Sequence, residues 1–152
     1  MAGRYRNKDP EWGYKIIREE LVEIGEKYGD ERRTDIVYAG VIGNPFGVHA
    51  ERGVYKTTDG GENWKLILHT NDSSGVGDMI MDPTNPNKIF VNMWQHHRTP
   101  WSFTSGGKTS GLYVTFDAGK TFKKLGKEEG LPSGDYGRIG IAISRSEPNR
   151  VY

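Results

Sequence analysis

The chain contains no cysteine, which removes a disulfide framework, a thiolate zinc site and a cysteine nucleophile at once. That absence is compatible with any redox compartment. No apolar run approaches the ~20 residues that a membrane-spanning helix needs, so no membrane segment is expected. Residues 1–10 carry positive charge without an apolar core, and no signal peptide reads out of them. Excess charge of one sign is missing too. Twenty-one Lys and Arg stand against 20 Asp and Glu, a net +1 at pH 7, which leaves no field to favour nucleic acid or anionic lipid. Hydrophobic residues are scarce at 34%, while 27% are charged.

Glycine and aromatic residues are well represented. The 21 glycines lie well above the usual share of about 7%, and aromatic residues make up 11%, enough to argue against wholesale disorder. Glycine-rich, aromatic-bearing and polar together predict a mainly β chain of short strands and tight turns. By length alone, 152 residues suit one domain that buries about 70% of its unfolded surface.

Two unlike pieces follow along the chain. Residues 1–34 read as a helical segment, with an amphipathic helix over residues 9–29. Asp9 suits the N-cap, Pro10 the first helical position and Gly29 the stop. Ile16, Ile17, Leu21, Ile24 and Tyr28 recur at helical spacing. From residue 35 to 152 the pattern turns to strands, expected at 35–43, 53–56, 64–68, 88–94, 111–114 and 138–143.

An internal repeat organises this second piece. Gly53-Val-Tyr-Lys-Thr-Thr-Asp-Gly-Gly-Glu-Asn-Trp64 aligns without a gap on Gly111-Leu-Tyr-Val-Thr-Phe-Asp-Ala-Gly-Lys-Thr-Phe122, 58 residues later. Pro86-Asn-Lys-Ile-Phe90 aligns on Pro148-Asn-Arg-Val-Tyr152, 62 residues later, and Asp35-Ile-Val-Tyr38 opens the same strand one unit earlier. In each box a strand ends at Thr57 or Thr115 and the chain reverses. Asp59 or Asp117 is suited to accept hydrogen bonds from turn amides. Gly61 or Gly119 supplies positive φ, and Trp64 or Phe122 begins the return strand. These aspartates are expected to act as structural clasps, not as catalysts or metal ligands.

Thr57-x-Asp59-x-Gly61-x-Asn63-Trp64 resembles the Asp-box, or BNR repeat, whose motif runs Ser/Thr-x-Asp-x-Gly-x-Thr/x-Trp. The second copy departs from it in Phe122. Asp-boxes lie on hairpins of β-propellers such as sialidases, sortilin-like receptors and xyloglucanases. Residues 35–152 are similar to bacterial sortilin-type propellers, often labelled glycosyl hydrolases. Asp82-Pro-Thr-Asn-Pro-Asn-Lys-Ile-Phe90, the run from Met93 to Gly107 and Gly130-Leu-Pro-Ser-Gly134 carry that likeness. The resemblance implies a partial β-propeller of about two blades, where closure takes about four to eight. It also implies an exported bacterial protein. Residues 17–34 separately resemble the coiled-coil helix near the end of the gyrase A breakage–reunion domain, through Lys27-Tyr-Gly-Asp-Glu-Arg-Arg-Thr34. The stretch that would hold a catalytic tyrosine is not covered.

The densest chemical cluster is Trp94-Gln95-His96-His97-Arg98-Thr99-Pro100-Trp101. Trp94, His96, His97, Arg98 and Trp101 are the ligand-binding candidates, residue types that stack on a sugar or clamp a carboxylate. Metal binding by His96 and His97 is not expected, since neighbours on a strand point oppositely. Gly107-Lys108-Thr109 does not make a phosphate loop, because Ser102 occupies the place of its first glycine and a strand follows instead of a helix. Glycoside hydrolysis needs a carboxyl pair. Asp72, Asp78, Asp82, Glu128, Glu129 and Asp135 are available, with Asp82 reading as a turn former before Pro83. The sialidase signature Phe/Tyr-Arg-Ile-Pro is absent, and Tyr136-Gly-Arg-Ile-Gly140 only superficially resembles it.

The function expected is a non-catalytic binding or scaffold module presenting a rim to protein, peptide or glycan, with no cofactor. The alternative is part of a xyloglucanase- or sialidase-like glycoside hydrolase whose active centre lies partly elsewhere. A third reading takes the helix as a gyrase-like dimerisation segment. Open sheet edges would also permit self-association.

Overall fold

A computed structural model describes residues 35–152; the helix expected over residues 9–29, and with it the whole of 1–34, lies outside the described residues. What is described is mainly β, in two antiparallel sheets that do not close into a barrel. The first is a three-stranded meander of β1 (Val37–Val41), β2 (Gly53–Thr57) and β3 (Lys65–Leu68). The second runs β4 (Ser74–Asp82), β5 (Asn85–Arg98), β7 (Gly111–Thr115) and β8 (Lys123–Lys124) in spatial order. A short strand, β6 (Phe103–Ser105), pairs with the far end of β5, and a 3-10 turn occupies Lys127–Glu129.

β5 is the central element, and its composition explains why. Ile89, Phe90, Val91, Asn92 and Met93 pair with β4 on one side and β7 on the other, so both edges of this stretch are hydrogen-bonded. Odd positions face one way: Ile89, Val91 and Met93 join Tyr38, Val54, Leu68 and Val76 in the cluster between the sheets. Even positions face the other, where Phe90 joins Leu112 and Val114 against Ile139, Ile141 and Ile143. Each fully buried aliphatic or aromatic side chain contributes roughly 1.5–3 kcal/mol. The period of two thus gives the second sheet two apolar faces, one for the first sheet and one for the C-terminal segment.

That segment was expected to be a strand over 138–143. Instead, among the described residues, it forms an isolated bridge at Ile143↔Val151, flanked by Ala142 and Tyr152 exchanging N–H to carbonyl bonds at 2.9 and 2.8 Å. Side chains of the second sheet hold the rest: Asn92 Oδ1 accepts from Ile139 N–H at 3.0 Å and Asp78 Oδ2 accepts from Ile141 N–H at 2.9 Å. β4 and β6 were not expected from the sequence, and β5 extends beyond the run expected at 88–94.

Candidate functional site

Both repeated boxes lie in hairpins, β2–β3 and β7–β8, and the two are built alike. Thr57 and Thr115 hydroxyls donate to Asp59 and Asp117 Oδ1 at 2.6 and 2.8 Å, and accept from Gly61 and Gly119 N–H at 3.0 and 2.9 Å. The same Oδ1 atoms accept from Asn63 and Thr121 N–H, at 2.9 Å in each. The Oδ2 atoms accept from the Asn63 amide at 2.7 Å and the Thr121 hydroxyl at 2.6 Å. Gly60 and Ala118 N–H then reach the carbonyls of Asp35 and Asn87, at 3.0 Å in both. Ala118 adopts φ 59° where Gly60 has φ 73°, a conformation that costs a residue bearing Cβ about 1–2 kcal/mol. The indole of Trp64 adds a bond to Gly61 O at 3.1 Å, which Phe122 has no donor to repeat.

Donors converging on the ionised carboxylates hold their pKa values down. Asp59 lies well below the usual carboxylate range, through Asn63 N–H first and then the Thr57 hydroxyl. Asp117 does so through the Thr121 hydroxyl first and then Thr121 N–H. Asp82, which caps the β4–β5 turn, is lowered to about 2 by Thr84 N–H first, with the Thr84 hydroxyl and Lys88 adding to it. The Asp82–Lys88 pair measures 3.1 Å. A depressed carboxylate pKa contributes stability above its unfolded value of 3.8 and loses it as the pH falls through the folded value. His96 acts in the same direction. Burial lowers its pKa from 6.5, so the unfolded chain takes up that proton first on acidification. The urea midpoint is therefore expected to fall gently below pH 6.5 and steeply below pH 4. Asp59→Asn and Asp117→Asn should flatten the steeper limb; a midpoint that rises on acidification contradicts the assignment.

The five ligand-binding candidates separate into two groups. Trp94 and His96 are buried at 9% and 2% exposure. Their rings stack at 4.5 Å, Phe103 packs edge-on against Trp94 at 5.9 Å, and Trp94 Nε1 donates to Ser105 Oγ at 3.2 Å. They brace the base of the β5–β6 hairpin from within. His97, Arg98 and Trp101 are exposed. The Arg98 guanidinium lies 5.5 Å from the Phe103 ring centre, and Trp101 stands at the hairpin tip with 86% of its surface exposed. Alternation along β5 accounts for the pairing of residues 94 and 96 on one side.

Arg52 is the residue that sequence reasoning missed. Its side chain is fully buried, and its guanidinium donates to four carbonyls. Nη1 reaches Ser73 O at 2.7 Å and His96 O at 3.4 Å; Nη2 reaches Gly47 O at 2.7 Å and Asn44 O. His96 Nδ1 lies 3.2 Å from Trp94 O and 3.5 Å from Arg52 Nη1. Three loops thus meet on one cation: 42–52, 69–74 and the start of the β5–β6 hairpin. Arg98 N–H, donating to Pro45 O at 2.7 Å, ties the first loop to the hairpin again. No local pattern announces Arg52, because every acceptor comes from a distant or irregular stretch.

Most of the remaining candidates are engaged elsewhere, while Glu128 and Asp135 are exposed. Gly106 N–H donates to Gln95 O and Gly107 N–H to Tyr136 O, so the glycine loop spends these amides on the fold. Asp72 pairs with His69 at 3.2 Å, Asp78 accepts from Met79 and Ile141 N–H, and Glu129 pairs with Lys123 at 2.7 Å. Among the described residues no group of three or more His, Asp or Glu side chains is placed to hold a metal ion, and no helix is long and apolar enough to cross a membrane. Comparison with family models, curated proteins and solved structures returned no match.

Proposed function

We propose that this chain is a non-catalytic binding module of the Asp-box propeller type, whose β5–β6 rim engages a protein, peptide or glycan. The propeller reading draws support from two sheets that each end in the same clasped hairpin, and from the four-stranded meander β4-β5-β7-β8. The observation that carries the binding role is Trp101. Its indole is 86% exposed on a turn closed by Thr99 N–H to Ser102 O at 2.9 Å, Ser102 N–H to Thr99 Oγ1 at 3.0 Å and a 2.7 Å contact between their hydroxyls. The closed turn fixes the backbone beneath this large apolar ring, so less backbone entropy is lost when a partner covers it. Tryptophan is also the residue type most enriched at binding hot spots.

Trp101→Ala is expected to weaken retention on glycan arrays or peptide libraries by roughly 30-fold or more. Because the ring is exposed, the thermal midpoint should stay unchanged. Equal binding by the variant would remove this rim from the interaction. The alternative, a share in a glycoside hydrolase, predicts release of reducing sugar that is lost on substituting one carboxylate other than Asp59. That result would overturn the non-catalytic reading.

A further inference from the structure

The two clasps, besides turning their own hairpins, face each other across a groove. Tyr38 OH and Lys56 Nζ, from the first sheet, donate to Ala118 O in the second clasp at 3.0 and 2.9 Å. Beside this junction opens a cavity of about 570 Å³, within the size range of small-molecule sites. Lys56, Lys65 and Lys120 line it, with Asn63, Trp64 and the Asp59 clasp.

Three lysines and one carboxylate line it, and that carboxylate is already bound by the Thr57 hydroxyl, the Asn63 N–H and the Asn63 amide. Lys65 and Lys120 are exposed, and neither pairs with a carboxylate among the described residues. Lys56 is held in place by Ala118 O and the Tyr38 ring, 5.2 Å away. The lining is therefore cationic, in a chain whose net charge is only +1. Lysines bind phosphate-type oxyanions as compact point charges, without the fixed geometry of a guanidinium fork. Trp64 gives the groove an aromatic wall suited to a ring.

We propose that this groove is a second binding site, for a small ring compound carrying a phosphate or sulfate ester. The site forms only where two repeats adjoin, because Lys120 belongs to one clasp and the remaining donors to the other.

Titration of the full chain with phenyl phosphate and phenyl sulfate, followed by amide and indole NMR shifts, tests the proposal and separates the two esters. The expected result is saturable shifts at Asn63, Trp64, Lys65 and Lys120 for at least one ester. Phenol and inorganic phosphate should each bind at least tenfold more weakly than that ester. Lys65→Gln with Lys120→Gln should weaken it about tenfold or more, while Lys108→Gln, which removes an exposed charge elsewhere, should leave it unchanged. The proposal is overturned by shifts absent from these residues, by equal binding of phenol, or by equal weakening in Lys108→Gln. Trp101→Ala should not alter this titration, so the groove and the rim succeed or fail separately.

Discussion

Replacing Arg52 with methionine is expected to destabilise the fold by about 3–5 kcal/mol, a large part of the 5–15 kcal/mol typical of a domain. Methionine keeps much of the side-chain volume and removes every donor. The carbonyls of Asn44, Gly47, Ser73 and His96 would then lose the partner they share. An unsatisfied buried acceptor costs roughly 1–3 kcal/mol, reduced where water enters. The cation has no carboxylate among these partners, so its removal leaves no uncompensated negative charge behind, which keeps the loss from growing further. Arg52→Lys should recover only part of it, because one ammonium cannot reach the acceptors that a planar fork spans. Urea unfolding gives the magnitude, and limited proteolysis should find new cleavage within residues 42–52. A methionine variant within 1 kcal/mol of the parent would show that these carbonyls find other partners.

Gly75→Ala is expected to cost about 3 kcal/mol or more, at the upper end of overpacking penalties. A Cβ at Gly75 would stand 2.3 Å from Ile42 O, 2.6 Å from its Cα and 2.7 Å from its carbonyl carbon. All three atoms are backbone, so no side-chain rotation relieves the clash and β4 must part from the chain leaving β1. Here glycine answers to space, not to backbone conformation. Gly140→Ala, with nothing within 4 Å of the added carbon, is the control and should change little. If Gly75→Ala unfolds at the parent's urea concentration, the close approach between the sheets is not what holds them in register.

The same glycine explains why β4 was illegible. Ser74-Gly-Val-Gly-Asp78 reads as a turn by composition, and its glycines weaken any strand signal. Pairing to β5 and contact with another sheet override that local preference. β5 was legible over its apolar centre and not at its ends, because a short apolar run marks a strand while Asn85, Pro86 and Arg98 do not. Candidate site residues divide in the same way. Spacing along the chain puts Trp94 and His96 on one side of β5, yet nothing in it tells which side is covered. That choice rests on Arg52, 44 residues before His96, and on β6 closing over the hairpin base.

The repeated Thr-x-Asp-x-Gly boxes were readable because each clasp is closed by bonds between residues at most four apart. Short-range hydrogen bonds of this kind depend on residue type and spacing, which the sequence carries in full. The mainly β character was equally readable from its glycines, aromatics and short apolar runs. The buried arginine, the exposure of Trp101 and the lysine-lined groove between the clasps depend instead on which distant segments come together. Burial and electrostatic environment are properties of that packing, and residues tens of positions apart acquire them only once the two sheets meet.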